Sequence, residues 1–237
     1  GMTYAHNEEN LYLAMYADTS TSLKIAGTDL AINQTTDYPN DGRIKISLNP
    51  KKPSSFKVHL RIPTWAGNQF VPGKLYKYLN QKKESWSLTV NGSKTQATVE
   101  KGFAIIERKW KKGDQLSLDL PMPLRINQCD KRVEENHNRL AFTRGPFVLC
   151  AEEIDNGGAT QRFFLNQEKV ETKYNLTKVK LTSGSFSQVK TMANVVNESG
   201  GEEDKSLALI PYYAWNNRKP GSMTIWFPTT PKLAVFD

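Results

Sequence analysis

The side chains able to do chemistry are few and scattered. His6, His59 and His137 lie far apart, without the spacing of metal ligands. Cys129 and Cys150 stand 21 residues apart, with no CxxC arrangement and no histidine beside them, so the sequence indicates neither a zinc site nor a disulfide framework. Carboxylates cluster as Glu134-Glu135, Glu152-Glu153 and Glu202-Glu203-Asp204. Two carboxylates hydrolyse a glycoside only when they face each other across it. Neighbours along a strand point to opposite faces, and acidic runs in loops are normally just solvated. Glu152 is the least ordinary of them, because it closes an otherwise apolar run. GxSxG, P-loop and GxGxxG patterns are all missing. No catalytic residue and no metal ligand is therefore assigned.

One stretch does suggest recognition. "LIPYYAWNNRKPGSMTIWF" (209–227) places Tyr212, Tyr213, Trp215, Asn216, Asn217 and Arg218 together. Aromatic faces suit the C–H side of a sugar, and amides and a guanidinium suit its hydroxyls. The competing reading is a buried corner between two strands. Burying a tryptophan removes roughly 200 Å² from water, worth about 5 kcal/mol at most. That gain makes a core role the expectation for Trp215 and Trp226. Strand alternation would send Ile210, Tyr212 and Ala214 one way, and Pro211, Tyr213 and Trp215 the other. "NNRKPG" then reads as a turn. The six residues from Tyr212 to Arg218 are kept as the carbohydrate-binding candidates, with the corner as the expected outcome.

The elements that must position these residues show a period of two. "NLYLAMYA" (10–17), "RIKISL" (43–48), "FKVHLRI" (56–62), "WSLTVNG" (86–92), "FAIIERKW" (103–110) and "QLSLDL" (115–120) alternate apolar and polar residues, as half-buried antiparallel strands do. Asp41-Gly42 and Asn91-Gly92 tolerate positive φ and mark reversals. Residues 64–85 break the rhythm, as an inserted loop or a short helix. The polar run "NQCDKRVEENHN" (127–138) marks a boundary, and further short strands follow it. The expected fold is all-β: two tandem antiparallel β-sandwich, jelly-roll-like domains, at 1–127 and 128–237.

Composition narrows the partners. The net charge of +8 sits mostly in residues 1–127, with 18 Lys/Arg against 11 Asp/Glu, while 128–237 carries 14 against 13. The lysines lie singly or in pairs beside turns, so nucleic acid is not expected as a partner. No run of about 18 apolar residues exists, so no membrane partner is expected either. Gly1 precedes Met2, which reads as an added residue on an excised piece.

Taken in order, "YAHNEENLYLAMYADT", "TDYPNDG", "LRIPTWA", "VNG", "GFAIIERKWKKGD", "LPMPLR", "NRLAFTRGPFVLCAEE" and "IPYYAWNNRKPGSMTIWF" resemble the C-terminal half of glycoside hydrolase family 127, best known for β-L-arabinofuranosidases. The likeness covers nearly the whole chain, and the last two motifs are the most specific. It implies a parent enzyme whose N-terminal (α/α)6 barrel carries the active site, with a zinc-held cysteine nucleophile and a glutamate acid. Two β-sandwich domains follow that barrel. The family's adjacent zinc-binding cysteines have no counterpart here, so no catalytic residue carries over, and zinc is expected in the barrel only. The expected partners are that barrel and, in the rival reading, carbohydrate. The segment 66–85 departs from the family's short step between "RIPTWA" and "VNG". A periplasmic or secreted parent is compatible with the resemblance, while the compartment of this chain stays open.

Overall fold

Alternating sequence becomes alternating burial in the computed structural model, which describes residues 3–67, 69–80, 85–158, 160–168, 170, 172–181 and 184–234. Along Arg43–Pro50 every second side chain, from Ile44 through Ile46 to Leu48, is buried, while the residues between them stay at least partly open to water. The chain divides into two units: Gly1–Gly67 with Lys83–Met122, and Asn68–Lys82 with Pro123–Asp237. The sequence places the division at 127/128. In the structure it falls at 122/123, and the inserted stretch goes to the second unit.

The first unit has two sheets. One runs in the spatial order Tyr4–His6, Asn10–Leu13, Ser54–Arg61, Phe103–Trp110, Thr98–Glu100. The other runs Thr19–Ile25, Thr28–Thr36, Arg43–Pro50, Asp114–Asp119, Ser87–Val90, Ser93–Lys94. Pairing is antiparallel except between Asn10–Leu13 and Ser54–Arg61, which run parallel, a departure from the expected pattern. Trp110 is fully buried, and its indole Nε1 donates to the Phe56 carbonyl at 2.9 Å, so the ring's one polar group is satisfied inside the core.

The two glycine turns work for different reasons. Asn91 (φ 51°) and Gly92 (φ 79°) form the expected tight hairpin. The Asn91 side chain also ties that hairpin down, donating to Asp114 Oδ1 and accepting from the Gln115 N–H, both at 2.8 Å. Gly42 has no positive φ. A Cβ there would stand 1.8 Å from the Leu120 carbonyl oxygen, so glycine is required by close backbone approach.

His59 is a packed histidine. Its ring stacks on Tyr12 at 4.1 Å, and Nε2 lies 2.8 Å from Asn10 Oδ1. Asn10 Nδ2 already donates to Asn7, so Oδ1 is free to accept and Nε2 carries the proton. Burial holds the imidazole below its ordinary pKa; Lys57 adds to this and Glu100 opposes it. As pH falls through about 6.5, the unfolded chain therefore takes up a proton before the folded one, and stability drops. Thermal unfolding between about pH 7 and pH 5 should show this drop, with a shallower slope in His59→Gln. Equal slopes for the two proteins would remove His59 from the account.

The second unit is built on one ten-stranded arrangement. Its main path runs Phe163–Phe164, Gly184–Val196, Glu202–Pro211, Phe147–Glu152, Arg139–Arg144, Leu124–Cys129, Tyr76–Tyr78. Asn175–Leu181, Met223–Thr224 and Trp226–Pro228 pair onto Gly184–Val196, Phe147–Glu152 and Arg139–Arg144 respectively. Ile126, Leu140, Phe142, Leu149, Leu209 and Phe227 are central to the core, with Phe142 and Phe227 packed edge to face. The stretch read as a loop or short helix supplies a 3-10 turn at Thr64–Ala66 and then the strand Tyr76–Tyr78, paired in register with Asn127–Cys129. Asn80 extends this edge by mimicking backbone: Nδ2 donates to the Leu124 carbonyl and Oδ1 accepts from the Ile126 N–H.

Candidate functional site

The aromatic stretch leaves the sheet earlier than alternation predicts. Glu202–Pro211 ends at Pro211, which has no N–H to continue a ladder. A 3-10 turn over Tyr212–Ala214 follows, closed by the Trp215 N–H on the Tyr212 carbonyl at 3.1 Å. Side chains now point at roughly 120° intervals instead of alternating. Ala214 turns inward, and Tyr212, Tyr213 and Trp215 are 45%, 57% and 39% exposed. This corrects the buried-corner reading for Trp215. Trp226, also expected in the core, is half-buried against Tyr76, with ring centroids 6.0 Å apart.

The exposed rings are ordered. Tyr212 and Trp215 stack with centroids 6.0 Å apart and planes 10° from parallel. Tyr213 leans on Phe147 at 5.3 Å, a separate contact. Asn216 sits at φ 60°, and its backbone N–H donates to Glu152 Oε1 at 2.8 Å. Asn217 Nδ2 reaches back to the Tyr213 carbonyl at 3.4 Å. The side chains of Asn216 and Asn217 are exposed near the rings.

Arg218 is engaged elsewhere. Its Nη1 donates to Asp155 Oδ1 at 2.8 Å and its Nη2 to Asp155 Oδ2 at 2.5 Å. Nη2 also donates to Glu152 Oε2, and the guanidinium lies over the Phe186 ring at 5.5 Å. Glu152, only 3% exposed, ends the strand Phe147–Glu152, and Asp155 sits on the short helix Glu153–Asn156 that follows. Hydrogen bonding to Asp155, then to Glu152, holds the guanidinium above its ordinary pKa against the opposing effect of burial. The group that looked available for hydroxyls is the counter-ion of buried Glu152 and partly buried Asp155. The sequence carried one signal of it, Glu152 at the end of an apolar strand; nothing in the sequence joined Glu152 and Asp155 to an arginine more than sixty positions away.

The two cysteines are likewise unsuited to nucleophilic or metal chemistry. Cys150 is fully buried, and burial pushes its thiol up to about 12, with Glu152 adding to the rise. Cys129 is buried and raised for the same first reason, and its thiol donates to the Asn136 carbonyl at 3.0 Å. A zinc site needs several donors converging on one point, and neither thiol has such partners among the described residues. Among the described residues no group of three or more His, Cys, Asp or Glu side chains converges to hold a metal ion.

A tandem pair of β-sandwich domains, with an aromatic turn at the surface of the second, is the class of protein that these features define. Two family models give the particular assignment: the glycoside hydrolase family 127 middle domain, described as β-L-arabinofuranosidase, matches residues 10–122, and the C-terminal domain of the same family matches 124–228. The chain belongs to glycoside hydrolase family 127. Among curated relatives, a non-reducing end β-L-arabinofuranosidase of Bifidobacterium longum subsp. longum is 26% identical over 215 residues, which is 83% of this chain and 30% of that protein. A solved family 127 β-arabinofuranosidase superposes with a TM-score of 0.90 at 32% identity, over 98% of this chain and 37% of its own. A family 127 β-L-arabinofuranosidase from Geobacillus stearothermophilus T6 gives 0.82 at 28% identity, over 95% of this chain and 34% of its own. The chain thus spans about a third of the length of these relatives.

Proposed function

We propose that this chain is the non-catalytic sandwich region of a β-L-arabinofuranosidase-type enzyme, and that it supports an N-terminal (α/α)6 barrel which performs the hydrolysis. The observation that carries this reading is the internal pairing of Arg218 with Glu152 and Asp155 behind the aromatic turn. Glu152 and Asp155 neutralise Arg218, and Cys150 stays a thiol. In this reading zinc would be held in the barrel. The limited span against the relatives supports the same reading. The purified chain should release no nitrophenol from p-nitrophenyl β-L-arabinofuranoside above the buffer blank, with or without added zinc. Supplying a family 127 barrel that is inactive alone should restore turnover. Hydrolysis by this chain by itself would refute the proposal.

One observation favours a second reading, in which the same region contacts carbohydrate. Tyr212 and Trp215 form a near-parallel stacked, solvent-exposed pair next in sequence to the exposed Asn216 and Asn217. Such a platform matches the C–H face of a sugar ring. In this reading Trp215→Ala should melt within a degree or two of the parent and bind arabino-oligosaccharides about tenfold more weakly by calorimetry. Arg218 is excluded as a direct contact in this version, because Asp155 and Glu152 engage Nη1 and Nη2 and its Nε is buried. Equal binding by parent and variant would dismiss the platform.

A further inference from the structure

An edge of a sheet offers unpaired N–H and C=O groups to any other strand, so the edges of the second unit need a device that discourages addition. One edge is made by Phe163–Phe164 and Asn175–Leu181, both paired to Gly184–Val196. The first is two residues long. The second is largely exposed and carries Lys178 and Lys180, so brevity and charge protect this side. On the opposite side the corresponding strand is Leu124–Cys129, "LRINQC". It has no lysine, and five of its six residues are buried, so neither device is present. This is the strand that the inserted stretch covers.

Tyr76, Lys77 and Tyr78 pair with Cys129, Gln128 and Asn127. Backbone bonds continue the ladder at both ends: the Asp130 N–H donates to the Leu75 carbonyl at 2.7 Å, and the Leu79 N–H to the Ile126 carbonyl at 2.8 Å. Bonding positions alternate along an antiparallel strand, so Lys77, midway between Leu75 and Leu79, is the residue that bonds Gln128. Beyond them the Asn80 side chain takes the Ile126 N–H and the Leu124 carbonyl. Arg125 closes over the strap, its Nη1 donating to the Asn80 carbonyl at 3.0 Å and its guanidinium lying over the Tyr78 ring at 5.1 Å. Tyr78 is buried, whereas Lys77 is exposed. The edge that results is three residues long with a lysine at its centre, which restores both devices. Without the strap, the partner that fits best is a second copy. Two Leu124–Cys129 strands meeting antiparallel about a twofold axis between Ile126 and Asn127 would set Arg125 opposite Gln128 and Leu124 opposite Cys129, with no like charges opposed. The same operation about the middle of Asn175–Leu181 would set Lys178 against itself.

We propose that the inserted stretch is a guard strand: residues 75–80 occupy the edge of Leu124–Cys129 and thereby block its pairing with the same edge of a second copy. This role is separate from supporting a barrel. Lys77→Pro in the whole chain tests it, because proline has no N–H for the ladder and the side chain lost is an exposed one. The readouts are hydrogen exchange at the Ile126 and Gln128 amides and sedimentation over a concentration series. In dilute solution both amides should exchange about tenfold faster than in the parent. On concentration the mass should double relative to the parent, and both amides should regain protection. Adding Gln128→Lys would place like charges across the twofold axis and should weaken that association about tenfold. If Lys77→Pro fails to fold, Asn80→Ala removes only the two side-chain bonds at one end of the strap and serves in its place, with Ile126 as the reporting amide. The proposal is overturned if the amides exchange as in the parent, if the opened edge keeps the parent's mass at every concentration, if association leaves the amides unprotected, or if Gln128→Lys leaves the association unchanged.

Discussion

Replacing Arg218 with methionine is expected to destabilise the second unit by about 3–5 kcal/mol, the range for stranding a buried charge. Three acceptor oxygens lose their donors at once: Oδ1 and Oδ2 of Asp155 and Oε2 of Glu152. The Glu152 and Asp155 side chains are 4% and 13% exposed, so water cannot replace the guanidinium without opening the junction between the strand and the short helix. Phe186 also loses the cation over its face. Equilibrium unfolding in urea measures the loss. If the cause is unpaired charge, adding Glu152→Gln and Asp155→Asn to Arg218→Met should recover much of it, because neutral amides tolerate that setting better. Little loss in the single variant, or no recovery in the triple, would mean that packing rather than pairing makes Arg218 important. The result also bears on recognition: an arginine needed to balance buried carboxylates is not spare for a sugar.

The second large effect belongs to Gly42→Ala. Its Cβ would lie 1.8 Å from the Leu120 carbonyl oxygen and 2.8 Å from the carbonyl carbon, both backbone atoms that cannot swing aside. The approach is locked from the other direction, since the Leu120 N–H donates to the Gly42 carbonyl at 2.9 Å and Leu120 is itself buried. Relief requires the strands Arg43–Pro50 and Asp114–Asp119 to separate at their ends, costing about 3 kcal/mol. Gly92→Ala is the control. It has open space and a φ of 79°, so only backbone strain of about 1–2 kcal/mol applies. Urea midpoints should therefore rank Gly42→Ala below Gly92→Ala. The reverse order would show that the Leu120 contact gives way easily.

Local pattern carried most of the first unit. In "RIKISL" and "QLSLDL" the side-chain period equals the strand period, and burial follows it without help from elsewhere. Asn91-Gly92 was legible because the turn's positive φ angles are a property of those two residues. Asp41-Gly42 looked the same in sequence, yet its glycine serves a contact with a residue nearly eighty positions away. The inserted stretch was legible as an interruption only. "LYKYLN" alternates, but an edge strand of three residues takes its stability from the strand it joins, and no local signal names Asn127–Cys129 as that strand.

By itself, then, the sequence determined the all-β class, most strand positions, the tight hairpin at Asn91-Gly92 and the family to which the motifs belong. Tertiary structure decided the rest. It assigned the inserted strand to the second unit, turned Tyr212 and Trp215 outward, and committed Arg218 to Glu152 and Asp155. The division has a physical cause. Backbone preference and hydrophobic period act over a few neighbouring residues and are written where they act, whereas charge pairing and close approach depend on which distant segments the fold brings into contact.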